Sequence, residues 1–173
     1  RARDEIRKWL DRLAGGMTEK TGTFLVTEAD AESAILRDVE TGQIHTLSEH
    51  DGYERREVVG ATIAPEPPME VVWTVVEESY RRTVELVDSD LSPTQQAMEI
   101  AEDQSVGELE RVERAGTGEI HVLSVPPEQV DDAVADVLED EETIARAARV
   151  DAVRVEVRRD PDAGVLNVRY LPD

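Results

Sequence analysis

The chain has no cysteine, only two lysines (Lys8 and Lys20), six aromatic residues and no apolar run of membrane length. Each shortage closes a class of explanation. Without cysteine there is no disulfide framework, no thiolate metal site and no cysteine nucleophile. No apolar stretch comes near the roughly 18 residues that suggest a membrane span. Ile6-Arg7-Lys8-Trp9-Leu10 is too charged to be the core of a signal peptide, so the expectation is a soluble, cytoplasmic protein. The aromatics are Trp9, Phe24, Tyr53, Trp73, Tyr80 and Tyr170, so any core must be mainly aliphatic.

Acid is abundant. Forty Asp and Glu face 19 basic residues, seventeen of them arginine, and the formal charge over 173 residues is −21. The excess is spread along the chain, with −11 on residues 17–91 and −12 on residues 92–173. Such uniform self-repulsion opposes a compact state at ordinary ionic strength. In molar salt the Debye length falls to ~3 Å and the repulsion is largely screened. The pattern is that expected of an extreme halophile's cytoplasmic protein. It names a habitat and no reaction.

Residues 1–16 stand apart, with a charge of +2 on a chain otherwise at −23. Ile6, Leu10 and Leu13 fall at helical spacing and Gly15-Gly16 ends the run, so a basic helical extension is expected, with Met17 as the usual start. From residue 17 to 91 the pattern is β. Five short runs (Thr23–Thr27, Ala34–Arg37, Ile44–Leu47, Val58–Ile63 and Val71–Val76) suggest a small closed barrel of the OB or SH3-like kind. Glu40-Thr41-Gly42-Gln43 reads as a tight turn with Gly42 at positive φ. Pro65-Glu66-Pro67-Pro68 must be a connection or an edge, because proline cannot donate to a ladder. Ser48–Glu57 lies where an OB barrel places a helix, and is too short and polar for a good one.

Residues 92–173 change period. Ser92-Pro93-Thr94-Gln95 is a helix-start signature, with Ser92 as the expected cap. Leu109–Arg114 and Ile120–Val125 form a hairpin pattern around Ala115-Gly116-Thr117-Gly118. Val130, Ala133, Val134, Val137 and Leu138 then share one helical face, and Asp140 can cap a further short helix. Val153–Arg158 and Val165–Tyr170 form a second hairpin. The expected architecture is α+β: a five-stranded barrel, then a doubled helix–hairpin domain whose four-stranded antiparallel sheet carries its helices on one face.

Candidate chemistry is sparse. His45 and His121 sit in alternating strands and read as strand-face side chains. His50 with Glu49 and Asp51 lacks the ligand spacing of a structural metal site, and Asp88-Ser89-Asp90 lacks the central Gly and closing Glu of a calcium loop. Acidic pairs such as Glu77-Glu78 carry no information on so acidic a surface. No phosphate-binding or nucleophile-elbow motif occurs, so no catalytic residue, metal or cofactor is expected. Arg37, Arg55 and Arg56 with Tyr53 would form a single-strand platform if one barrel face gathered them. The net charge works against nucleic acid.

Met17-Thr18-Glu19-Lys20-Thr21-Gly22-Thr23-Phe24-Leu25-Val26-Thr27 resembles the opening of an uncharacterised haloarchaeal protein family, a domain of unknown function. The resemblance runs on through Leu36-Arg37-Asp38, His45-Thr46-Leu47-Ser48, Ala64-Pro65-Glu66-Pro67-Pro68-Met69-Glu70-Val71 and Arg114-Ala115-Gly116, over about residues 17–173. It implies lineage and cytoplasmic location, and it carries no functional residue. The expected role is a non-enzymatic binding or adaptor protein with a protein partner. The alternative is RNA or single-stranded DNA binding through the barrel.

Overall fold

The computed structural model describes residues 2–6, 19–114 and 116–173. Residues 2–6 are helical and exposed; the rest of the expected N-terminal extension, with its Gly15-Gly16 stop, lies outside the described residues. The chain divides into two compact units, residues 1–82 and 83–173.

The first unit is a closed barrel. Strands β1 (Lys20–Ala29), β2 (Ala34–Asp38), β3 (Ile44–Leu47), β4 (Glu57–Pro65) and β5 (Trp73–Thr83) follow the order β1-β2-β3-β5-β4. β1 pairs antiparallel with β2 and β4, β2 pairs antiparallel with β3, and β3 meets β5 in parallel at Leu47 opposite Trp73. Side chains alternate across a strand, and here one parity fills the interior. Phe24 and Val26, Ala34 and Leu36, Leu47, Val59, Ala61 and Ile63, and Trp73 form one buried cluster, which Tyr53 joins from the loop. The turn after β2 is set by Asp38, whose Oδ1 accepts from the N–H groups of Glu40 (2.8 Å) and Thr41 (3.1 Å). Gly42 takes φ 79° there, as its place in the turn requires. The β3–β4 connection holds no helix, only turns and bends.

The second unit is a sheet with helices on both faces. Its strands are β6 (Glu85–Asp88), β7 (Leu109–Glu113), β8 (Glu119–Ser124), β9 (Arg154–Asp160) and β10 (Val165–Leu171), in the order β6-β9-β10-β8-β7. The two expected hairpins are present, joined at the centre by antiparallel β8–β10. The sheet has five strands where four were expected. Residues 85–88, read in the sequence as the tail of the barrel's β run, pair in parallel with β9, Leu86 opposite Val155. They satisfy an edge of β9 that would otherwise offer free N–H and C=O groups.

The helices correct the one-face expectation. α1 (Gln95–Glu102) covers Ile120, Val122 and Val165 with Ala97 at the contact. α2 (Val130–Glu139) and α3 (Glu141–Arg149) cover the opposite face, where Asp131 reaches Arg159 and Arg146 reaches Glu119. The reason lies in β10: Val165, Leu166, Asn167 and Val168 are consecutive and all buried, so both faces of this central strand need cover. α1 also starts later than expected. Its cap is Thr94, whose hydroxyl accepts from Ala97 N–H at 3.2 Å while its own N–H donates to the buried Asn167 Oδ1 at 3.3 Å. Asp140 caps α3 as its sequence position suggests, accepting from Glu142 N–H at 2.8 Å.

Candidate functional site

The four residues of the expected single-strand platform fall in different surroundings. Tyr53 is 4 % exposed and belongs to the barrel core. Its ring stacks on His50 at 5.7 Å, with the Arg81 guanidinium 4.4 Å from the centroid. Burial, then the Glu78 carboxylate beside it, pushes its hydroxyl up to about 12. A ring so enclosed offers no face to a base. Arg37 lies half-buried on the outer side of β2, opposite Ile44. Arg55 and Arg56 form the turn entering β4, where Arg56 takes φ 79° and its N–H donates to Val26 at 2.8 Å. The fold therefore brings Arg37 to Ile44 and Tyr53 to His50 and Arg81.

Two polar clusters contain His45 and His121, both buried. At one end of the barrel, Lys20 Nζ stands 2.9 Å from Asp38 Oδ2, 2.7 Å from Gln43 Oε1 and 3.2 Å from His45 Nε2. His45 points inward, edge-on to Phe24 (5.8 Å) and Trp73 (4.6 Å). Burial and the neighbouring ammonium lower its pKa, against the pull of Asp38. For Asp38 burial acts upward, yet the Lys20 ammonium and the two turn N–H groups hold it below its usual value.

In the second unit, Arg146 donates to both carboxylate oxygens of Glu119 (2.6 and 2.8 Å), and His121 Nε2 lies 2.7 Å from Oε1. The Tyr170 ring packs on His121 at 4.8 Å. Burial acts upward on Glu119, but the bonds from Arg146 and His121 hold it low. Burial lowers His121 despite Glu119, and burial followed by the Glu119 charge pushes Tyr170 up to about 12. Each acid already holds its cation. The cluster fastens α3 to the sheet through a charge-assisted bidentate pair and presents no displaced acid–base pair to solvent. Among the described residues, no group of three or more His, Asp or Glu is placed to hold a metal ion.

The largest exposed apolar side chains of the barrel lie elsewhere. Met69 is 76 % exposed and Val71 68 %, both in the connection between β4 and β5, and Ile44 at the start of β3 is 57 % exposed. The connection is built to hold them out. Glu66 N–H donates to Val72 (2.8 Å), Glu70 N–H donates to Glu66 (2.9 Å), and Ser48 Oγ donates to Glu66 Oε1 (3.0 Å). Glu70 sits between them in the left-handed region, at φ 57°. β3 meets β5 in parallel at Leu47 opposite Trp73, with Ile44 three residues before Leu47 and Val71 two residues before Trp73. The sequence marks Pro65-Glu66-Pro67-Pro68 as a connection or an edge and places Val71 in the fifth β run, whereas β5 begins at Trp73 and leaves Val71 in the connection.

A shallow depression of about 480 Å³ in the second unit is lined by Asp88, Ser89, Asp90, Leu91, Arg159 and Pro161. Its arginine is committed to Asp88 and Asp131.

No curated protein and no solved structure matches this chain. A family model described as "Family of unknown function (DUF5812)" matches residues 20–159, which takes in the whole barrel and most of the second unit. The chain belongs to the DUF5812 family of unknown function.

Proposed function

We propose that the protein is a non-enzymatic binding module that takes a protein partner on the barrel surface formed by Ile44, Met69 and Val71. The observation that carries this reading is the ordered, outward presentation of Met69 and Val71 on the β4–β5 connection. The barrel's connectivity, with strand five inserted between strands three and four, fits the OB kind. In that fold the face of strands two and three and the loops joining strands one to two and four to five bind ligands. Here that region carries apolar side chains with Arg37 beside them. Apolar contacts persist in strong salt, whereas phosphate binding by counterion release weakens steeply. The charge of −21 also repels a polyanion and fits a halophile cytoplasm.

The test is affinity capture from native cells in molar KCl with the wild-type chain and Met69→Asp/Val71→Asp, each with and without nuclease. A protein retained by the wild type, lost with the double variant and indifferent to nuclease supports the module. A partner recovered equally by both chains would refute the docking surface. Recovery of oligonucleotide that survives Met69→Asp/Val71→Asp and is lost with Arg37→Ala would establish the nucleic-acid alternative instead.

A further inference from the structure

β7 is the outer strand of the second sheet, paired only with β8. Its ladder parity is fixed. Arg114 N–H donates to Gly118, and Ser124 N–H donates to Glu108, so the even-numbered residues address β8. In an antiparallel ladder the alternate residues turn their N–H and C=O groups the other way, which leaves Leu109, Arg111 and Glu113 to offer backbone groups outward. The strand is exposed along most of its length, with Leu109 at 45 %.

The side chains on this edge form a self-complementary sequence: Glu110-Arg111-Val112-Glu113-Arg114. Two copies paired antiparallel about a two-fold axis through Val112 place Arg111 opposite Glu113 twice and Glu110 opposite Arg114 twice, with Val112 facing itself. Residues directly opposite share a sheet face, and both pairings obey that parity. The outward backbone groups of Arg111 and Glu113 meet in the same register. Shifting the axis to Arg111 sets arginine against arginine, and shifting it to Glu110 sets glutamate against glutamate, so charge selects one register of the three. Glu110, Arg111 and Glu113 make no ion pair among the described residues; Arg114 lies 3.9 Å from Asp173 and donates to the Thr117 carbonyl at 3.3 Å. The segment from Glu110 to Arg114 is neutral on a chain of −21. The opposite edge, β6, carries Glu85 and Asp88 and no base, so it repels a copy of itself.

We infer that β7 is a homodimerisation edge, its occupant a second copy of this chain added antiparallel about Val112 to give a continuous ten-stranded sheet. Strand addition supplies affinity through backbone bonds and specificity through the side chains, and a two-fold edge contact is closed, so it stops at two copies.

Sedimentation equilibrium of the full chain in 1 M KCl tests it, with far-UV circular dichroism confirming that each variant is folded. The wild type is expected to be dimeric. Arg111→Glu alone and Glu113→Arg alone each convert two attractive pairs into two repulsive ones and should weaken association about tenfold or more. An equimolar mixture of the two single variants restores complementarity at both positions and should dimerise like the wild type, as should the double variant Arg111→Glu/Glu113→Arg. A wild type monomeric at about 100 µM, a level at which even weak specific pairs associate, would overturn the inference. So would a dimer indifferent to both reversals, or folded single variants that stay monomeric when mixed.

Discussion

Replacing Val134 with aspartate probes the architecture of the second unit most directly. Val134 is 1 % exposed on the inner face of α2, which packs over β6, β9 and β10. Removing its apolar contact alone, as in Val134→Ala, should cost about 1.5–3 kcal/mol. Aspartate adds a carboxylate with no cation provided for it. Arg159, the base that α2 already engages through Asp131, is held by Asp88 as well. The further penalty is several kcal/mol, so the total becomes comparable to the roughly 5–15 kcal/mol that holds a typical domain together. Glu128, six residues earlier and exposed, is the control; Glu128→Ala should stay within about 0.5 kcal/mol of wild type. Urea melts followed by far-UV circular dichroism in molar KCl would measure all three. The expected order is Glu128→Ala near wild type, Val134→Ala shifted, and Val134→Asp without a cooperative transition for this unit. Equal tolerance of Val134→Asp and Glu128→Ala would mean that α2 does not seal the sheet, and the packing argument would fail.

Stability should fall as pH drops below 6.5, because burial holds His45 and His121 below that value in the folded protein. The unfolded chain then takes up protons that the folded one refuses. The loss continues as the medium falls below the ordinary values of Glu119 (4.5) and Asp38 (3.8), both depressed by their cations. Chemical denaturation at pH 7.5 and at about pH 5.5 checks the first part, and a slope unchanged in His45→Gln/His121→Gln would contradict it. The melting temperature should rise steeply from low to molar KCl, since screening relieves repulsion spread over both halves of the chain; a flat calorimetric profile would remove the halophile reading. Gly60→Ala should destabilise the barrel by about 1–3 kcal/mol, because a Cβ there meets the Tyr80 ring and forces it to shift. In a double-mutant cycle Tyr80→Ala should recover most of that loss, and additive losses would place the strain elsewhere.

The barrel was largely legible because its strands are short runs of β-forming residues bounded by turn signals. Ala34-Ile35-Leu36-Arg37 buries alternate residues and Gly42 marked the turn that follows it, while Val58 to Ala61 are buried on both faces, as a continuous apolar run allows. The hairpins and the Asp140 cap were legible for the same local reason. The single-strand platform was not a safe reading, because proximity in sequence places Tyr53 next to Arg55 and Arg56 while the fold turns the ring inward under Arg81. His121 was legible as a strand-face side chain, but nothing in the sequence announced Glu119 beside it or Arg146, twenty-seven residues away from Glu119.

The sequence by itself determined the period of each segment, the turns, the absence of thiol chemistry and the acid excess, since all of these are local or additive properties. Tertiary structure alone decided that residues 85–88 leave the barrel's β run to extend the second sheet, and that the helices divide between its faces. Pairing partners are chosen by which edges and apolar faces remain open once distant strands have met. That competition has no signature in a window of neighbouring residues. The same holds for β7: its alternating charges were plain in the sequence, and only the sheet order made them an edge.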